Sequence, residues 1–126
     1  MQSYSKTITV LPAHIDDLNH VNNVVYLQWV QDIAKEHWFL RTTDQINTAY
    51  FWVVVKHELE YKKPAFLGDE LTVTTYVEEF KGALSVRCVE FKIGDQLIVS
   101  TRSQWCLIGA KDHKPKRVPK EFFDLF

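Results

Sequence analysis

Between residues 23 and about 43 the chain contains neither Gly nor Pro, and Tyr26, Val30, Ile33, His37 and Leu40 recur at helical spacing. Val25, Trp29, Ala34, Trp38 and Phe39 widen the apolar surface, so this long helix is expected to be mostly buried. A helix apolar on most sides needs a layer wrapped around it, and the rest of the sequence offers strands. Residues 4–10 alternate weakly and stop at Pro12. Residues 52–62 place Val53, Val55, His57, Leu59 and Tyr61 on one face and Trp52, Val54 and the charged residues on the other. Further strands are expected over 70–79, 83–93 and 96–108, separated by turn signals at Lys81-Gly82 and Gly94-Asp95. In 83–93 the apolar phase slips from even to odd positions, which predicts a β-bulge near Cys88 and Val89. Short connections favour antiparallel neighbours, so the fold class is α+β, with a curled antiparallel sheet wrapped around one long central helix.

A chain of 126 residues forms one domain on this reading, residues 1–126, with a basic tail at about 111–120. That tail has five Lys/Arg against one Asp, whereas the whole chain is at −1. It either grips phosphates or an acidic carrier protein, or is a solvated segment. The near-neutral total excludes a nucleic-acid binder that relies on bulk basicity. The longest apolar run, 49–55, is seven residues, too short to cross a bilayer, and no secretory signal is visible. Cys88 and Cys106 have neither disulfide-framework nor zinc-finger spacing, so a cytoplasmic location is the expectation. An uncovered sheet edge and an outer face carrying Trp52 and Val54 call for self-association, as a homodimer or a tetramer of two dimers.

The densest chemistry precedes the helix. His14-Ile15-Asp16-Asp17-Leu18-Asn19-His20-Val21-Asn22-Asn23 holds two carboxylates, two imidazoles and three carboxamides in ten residues. Asn22 or Asn23 can cap the helix, whose first-turn amides lack backbone acceptors and sit at the positive end of the dipole. An oxygen that becomes anionic during reaction is stabilised there, and a nearby carboxylate supplies base or nucleophile. The same residues also fit ordinary turn formers and a helix cap. His14 and His20, six apart in a loop, lack a third ligand at helical spacing, so no metal and no cofactor is expected.

Asp16-x-x-x-His20-Val21-Asn22-Asn23-x-x-Tyr26-x-x-Trp29, followed by Glu58-x-x-Tyr61-x-x-Pro64-Ala65-x-x-Gly68-Asp69, resembles the hot-dog-fold acyl thioesterases of the 4-hydroxybenzoyl-CoA thioesterase-like group. The resemblance implies the hot-dog fold and hydrolysis of acyl-CoA or acyl-carrier-protein esters, as in fatty acid metabolism. It places Asp16 at the position of the catalytic carboxylate, as general base or nucleophile, and the thioester carbonyl at the helix N-terminus. Val24 and Val25 amides are then the expected oxyanion donors, Asn22 or Asn23 holds the loop, and His20 orients Asp16 or contacts substrate. Tyr26, Trp29, His57, Tyr61 and Phe66 are the expected substrate-binding residues, with Trp38 and Phe39 as further pocket candidates. Phosphates of a CoA ester would meet Lys62 and Lys63, or Arg87, Arg102, Lys116 and Arg117. Many family members have Asp where this chain has His14. Two other readings remain open: a non-catalytic oligomeric module that binds acyl groups or a protein, and an enoyl-thioester hydratase or dehydratase, whose usual His-with-Glu or Asp-with-His pair is not seen here.

Overall fold

The computed structural model describes residues 2–126. Its elements are β1 (Ser3–Thr9), α1 (Asn23–Arg41), α2 (Asp44–Ala49), β2 (Tyr50–Tyr61), β3 (Glu70–Lys81), β4 (Leu84–Ile93), β5 (Gln96–Gly109) and α3 (Lys120–Phe123). The strands form one five-stranded sheet in the order β1-β3-β4-β5-β2, antiparallel throughout. The sheet curls around α1, the expected α+β arrangement.

Helix α1 runs 19 residues, or about 28 Å at the standard rise. Tyr26, Trp29, Val30, Ile33, Ala34, His37 and Trp38 are buried on the face toward the sheet. The opposite face is open, with Val24, Phe39 and Leu40 each at least 60% exposed. The helix is therefore one-sided rather than mostly buried, because the sheet curls over only one flank. Around its first half, Val10, Val21, Val73, Val89, Phe91 and Val99 close one apolar cluster. Around its last turns, Trp38, Val77, Leu107, Val118, Phe122 and Phe126 close a second.

Three local readings of the sequence change. The expected connection after α1 holds α2, whose N-cap Thr43 accepts a hydrogen bond from the Ile46 amide. In β2 the register with β5 shifts between Val54 and Lys56. That extra residue, Val55, exchanges the faces, so Trp52 packs inward on Trp38 at a ring separation of 5.5 Å while His57 and Leu59 face inward beyond it. The bulge expected at Cys88 and Val89 is absent: β4 keeps continuous register with β5 from Leu84 to Phe91. The irregularity lies across the ladder in β3, between Val77 and Glu79. Val86 and Cys88 are apolar because this central strand is buried on both faces.

The basic tail is also not merely solvated. Its lysines and arginine point outward, but Val118, Phe122 and Phe126 are 0–7% exposed and close the far end of the core against Trp38. Burying an aromatic ring of this kind contributes on the order of 1.5–3 kcal/mol, which holds the segment in place.

Candidate active site

The loop between β1 and α1 is fixed mostly by its own amides. Val10 donates to the Asp69 carbonyl at 2.9 Å and accepts from the Gly68 amide at 3.0 Å, joining the end of β1 to the turn before β3. Gly68 has φ 86°, a conformation that costs a residue without a Cβ nothing. After a 3-10 turn at Pro12–His14, the Asp16 amide donates to the His20 carbonyl at 2.9 Å and the Asn19 amide to the Asp16 carbonyl at 3.0 Å. Asn19 takes φ 62°, which asparagine tolerates better than most residues. Asp16 Oδ1 accepts the Leu18 amide at 2.9 Å and the His20 amide at 3.3 Å. Among the described residues Oδ2 has no partner, and the side chain is half-exposed. One oxygen of this carboxylate thus builds the turn and the other is available.

The two sequence blocks meet in space. The Val21 amide donates to the Ala65 carbonyl at 2.9 Å, and His20 forms an isolated bridge with Phe66. The His20 ring stands edge-on to Phe66, centroids 5.2 Å apart, and among the described residues no side-chain hydrogen bond joins it to Asp16. His20 reaches Asp16 only through its backbone amide, so the structure does not show the imidazole orienting the carboxylate. Asp69 Oδ2 accepts the Phe66 amide at 2.8 Å and ties the second block to itself.

Asn22 caps α1. Its side-chain Oδ1 accepts the Val24 amide at 3.0 Å and its carbonyl accepts the Val25 amide at 2.9 Å. The two amides expected to serve as oxyanion donors are therefore engaged by the cap itself. The first-turn amide without a partner among the described residues is that of Asn23, at the position where the dipole and the open donor coincide. Below it, Tyr26 is 2% exposed, with its hydroxyl buried and without a hydrogen-bond partner among the described residues. Burial, followed by Tyr61 and Asp69 nearby, pushes its pKa up to about 12. Tyr61 is within 5.8 Å of Tyr26, ring to ring, and its hydroxyl donates to the Asn23 carbonyl at 3.4 Å.

Asp16, Asn22, Asn23, Val24, Val25, Tyr26, Tyr61 and Phe66 thus gather at one end of α1, with exposed Lys62 and Lys63 following Tyr61. Trp29 lies one turn further in, edge-on to His14 at 4.9 Å. His57 is not part of this group. It pairs with Ser103 in the register of β2 and β5, and its Nδ1 lies 2.6 Å from the Ser103 hydroxyl. That is four strand residues from Tyr61, or about 13 Å. Burial lowers its pKa, which keeps the ring neutral. Trp38 and Phe39 lie at the far end of the helix. Among the other basic candidates, Arg102 pairs with Glu78, Lys116 with Asp112, and Arg87 is buried. The sequence reading missed Ala65 and Asp69 as builders of the site; their signal was the second block itself.

Residues 10–126 match the family model of the thioesterase-like superfamily. The long-chain acyl-CoA thioesterase FadM of Escherichia coli (strain K12) is 32% identical over 77 residues, 60% of this chain and 58% of FadM. The chain thus matches little more than half of FadM's length. YneP of Bacillus subtilis (strain 168) is 28% identical over 130 aligned positions, 98% of this chain and 93% of YneP. Among solved structures, the 1,4-dihydroxy-2-naphthoyl-CoA thioesterase Slr0204 of Synechocystis superposes with a TM-score of 0.83 at 15% identity, over 98% of this chain and 95% of that one. SAV2348 of Staphylococcus aureus, solved in complex with CoA, gives a TM-score of 0.88 at 20% identity, over 98% and 81%. At such identities these two likenesses speak for the hot-dog architecture.

Proposed function

The chain belongs to the thioesterase-like superfamily, and on that premise we propose that it hydrolyses acyl thioesters at the N-terminal end of α1, with Asp16 as the catalytic carboxylate. The observation that carries this reading is the division of labour at Asp16: Oδ1 is held by two turn amides while Oδ2 stays unpartnered, in the loop that leads directly into a helix end with an open amide at Asn23. The thioester carbonyl oxygen accepts the Asn23 amide, with the helix dipole behind it. Asp16 Oδ2 takes a proton from water as the water oxygen bonds to the carbonyl carbon. The tetrahedral intermediate then collapses, the carbon–sulfur bond breaks, and the sulfur leaves as thiolate and regains the proton. A thiol with an ordinary pKa of about 8.5 departs without a strong general acid, which fits a site where the imidazole of His20 is turned to Phe66.

CoA esters are the favoured substrates. The names of FadM and Slr0204 support that class, and exposed Lys62 and Lys63 beside Tyr61 suit the phosphates of CoA at the mouth. Tyr61 and Phe66 flank the thioester, and Tyr26 and Trp29 back them. The protein works as a homodimer joined through β2. The outer edge at β1 carries Ser3, Ser5, Thr7 and Thr9 outward, whereas the β2 edge exposes Phe51, Val53, Val54 and Val55 by 39–58%. An edge of that composition needs a partner strand. Among the described residues no helix is long and apolar enough to cross a membrane.

Thiol release from a panel of acyl-CoA esters tests the reading. Asp16→Asn keeps an oxygen for the Leu18 and His20 amides but removes the charge, so the fold is retained and turnover falls on the order of 100-fold or more. A wild type that releases no thiol from CoA or carrier-protein esters would reject hydrolysis and leave a binding module.

A further inference from the structure

A cavity of about 250 Å³ lies toward the C-terminal end of α1, walled by Trp38, Tyr50, Trp52, Phe80 and Trp105. Trp38 is fifteen residues along the helix from Asn23, or about 22 Å, and no residue of the Asp16 loop lines the cavity. Into these aromatic walls β4 delivers Arg87, a residue only 5% exposed. Its Nη1 donates to His37 Nδ1 at 2.9 Å and to Thr75 Oγ1 at 3.0 Å, both neutral acceptors. His37 is held neutral by its burial and by Arg87.

Those two bonds occupy the donors of one guanidinium nitrogen. The Nε–H and Nη2 side of the fork has no hydrogen-bond partner among the described residues, and no ion pair there includes Arg87. The Phe126 ring at 5.8 Å offers a cation–π contact but no acceptor for the free N–H groups. A permanently charged group buried without an anion is costly unless something pairs with it. The wall adds another idle donor, the Trp105 indole N–H, which is buried without a partner among the described residues. No Asp or Glu lines the cavity, and Lys35 stands at its rim.

We propose that this cavity binds a carboxylate carried on an apolar body, with Arg87 as counter-ion and the aromatic walls around the apolar part. The free side of the guanidinium presents two parallel N–H groups, which match the two oxygens of a carboxylate. A monoanion neutralises Arg87, whereas a phosphate dianion would leave a net buried charge. The carboxylate has two possible sources: a free aliphatic or aryl acid, or the far-end carboxylate of an acyl group. Binding of a free acid is independent of thioester cleavage, so its outcome is separable from that of the proposed reaction.

Trp38, Trp52 and Trp105 make tryptophan fluorescence the readout. Titration at neutral pH with decanoate and with decanol compares the same chain with and without the charge. Wild type is expected to favour decanoate on the order of tenfold or more, the scale of one charged hydrogen-bonded contact. Arg87→Met is expected to bind both alike, and its retained decanol binding shows that the cavity is intact. Ser85→Asp, which places a carboxylate on the same face of β4 two residues from Arg87, should abolish acid binding while sparing the alcohol. A second arm measures thiol release from the mono-CoA ester of octadecanedioic acid, whose chain is long enough to approach the about 22 Å between the two sites, against octadecanoyl-CoA. A preference for the former in kcat/KM that Arg87→Met removes identifies the acyl group as the source; decanoate binding without that preference identifies the free acid. A wild type with neither preference overturns the proposal, as does an Arg87→Met protein that keeps one. The wild-type comparison needs no variant to fold.

Discussion

In the proposed reaction Asp16 and Asn23 act at the level of single atoms, and the cap residue between them decides which amides are free. Asn22 takes the Val24 amide with its side chain and the Val25 amide with its carbonyl, leaving the Asn23 N–H without a partner among the described residues. This can be tested by deleting one hydrogen. Asn23 is the first residue of α1, the position where proline is best tolerated, because the missing N–H would have no helical acceptor. Asn22 has φ −61° and ψ 134°, which suits a residue preceding proline. Asn23→Pro should therefore fold with a stability close to wild type while kcat falls on the order of 100-fold, the usual effect of losing one oxyanion donor. Asn23→Ala, which keeps the amide, should remain near wild type. If the proline variant turns over normally, the oxyanion is held elsewhere. Sequence reasoning located the helix end and its cap but chose Val24 and Val25, since only coordinates show which amides a cap consumes.

Elements were legible where a single period governs them. The 3.6-residue pattern of α1 gave its start and, within two residues, its end. The turn residues gave the succession of strands along the chain, but not that β2 crosses to pair with β5 while β3 pairs with β1, although a short connection joins β2 to β3. What the pattern hid were places where apolar residues run on without alternation. Val53-Val54-Val55 reads equally well in either phase, so the extra residue in β2 and the inward turn of Trp52 left no trace in the sequence. Val86 and Cys88 suggested a slip in β4, although a central strand covered on both faces has no reason to alternate. In the tail, the Pro and Lys content masked Phe122 and Phe126, whose four-residue spacing was the available signal. The β2 edge yields its own prediction. Val53→Lys combined with Val55→Lys puts two charges on the apolar first half of this edge, at side chains that belong to neither buried cluster. Light scattering coupled to size exclusion should give wild type twice the mass of the 14.8 kDa chain and the double variant the mass of one chain. A wild type that runs as a monomer at tens of micromolar would remove the dimer from the proposed function.

At the scale of the whole molecule, the buried polar residues His37, Thr75 and Arg87 fall between the two apolar clusters, and His37 joins three parts of the chain. Its ring stacks on Tyr4 of β1 at 5.8 Å, meets Phe126 edge-on at 5.0 Å and accepts from Arg87 of β4. The first strand, the central strand and the closing segment therefore all rest on one neutral imidazole. Burial, then Arg87 and Arg41, lower its pKa from 6.5 to about 4. The unfolded chain thus binds this proton more readily than the folded one throughout the interval between those values. Its contribution to stability is complete above about pH 6.5 and is lost as the pH falls toward 4. A depression of this size corresponds to roughly 3 kcal/mol by the linkage relation. His57, lowered by burial, adds in the same direction. Carboxylates also titrate in this range, so the readout is a difference between two proteins rather than one acid transition. His37→Gln keeps an oxygen to accept from Arg87 but has nothing to protonate. Urea unfolding at pH 7 and pH 4 should show wild type losing about 3 kcal/mol more than His37→Gln over that interval. Parallel losses in the two proteins would mean that His37 accepts a proton in the folded state without penalty, and that Arg87 moves away from it when it does.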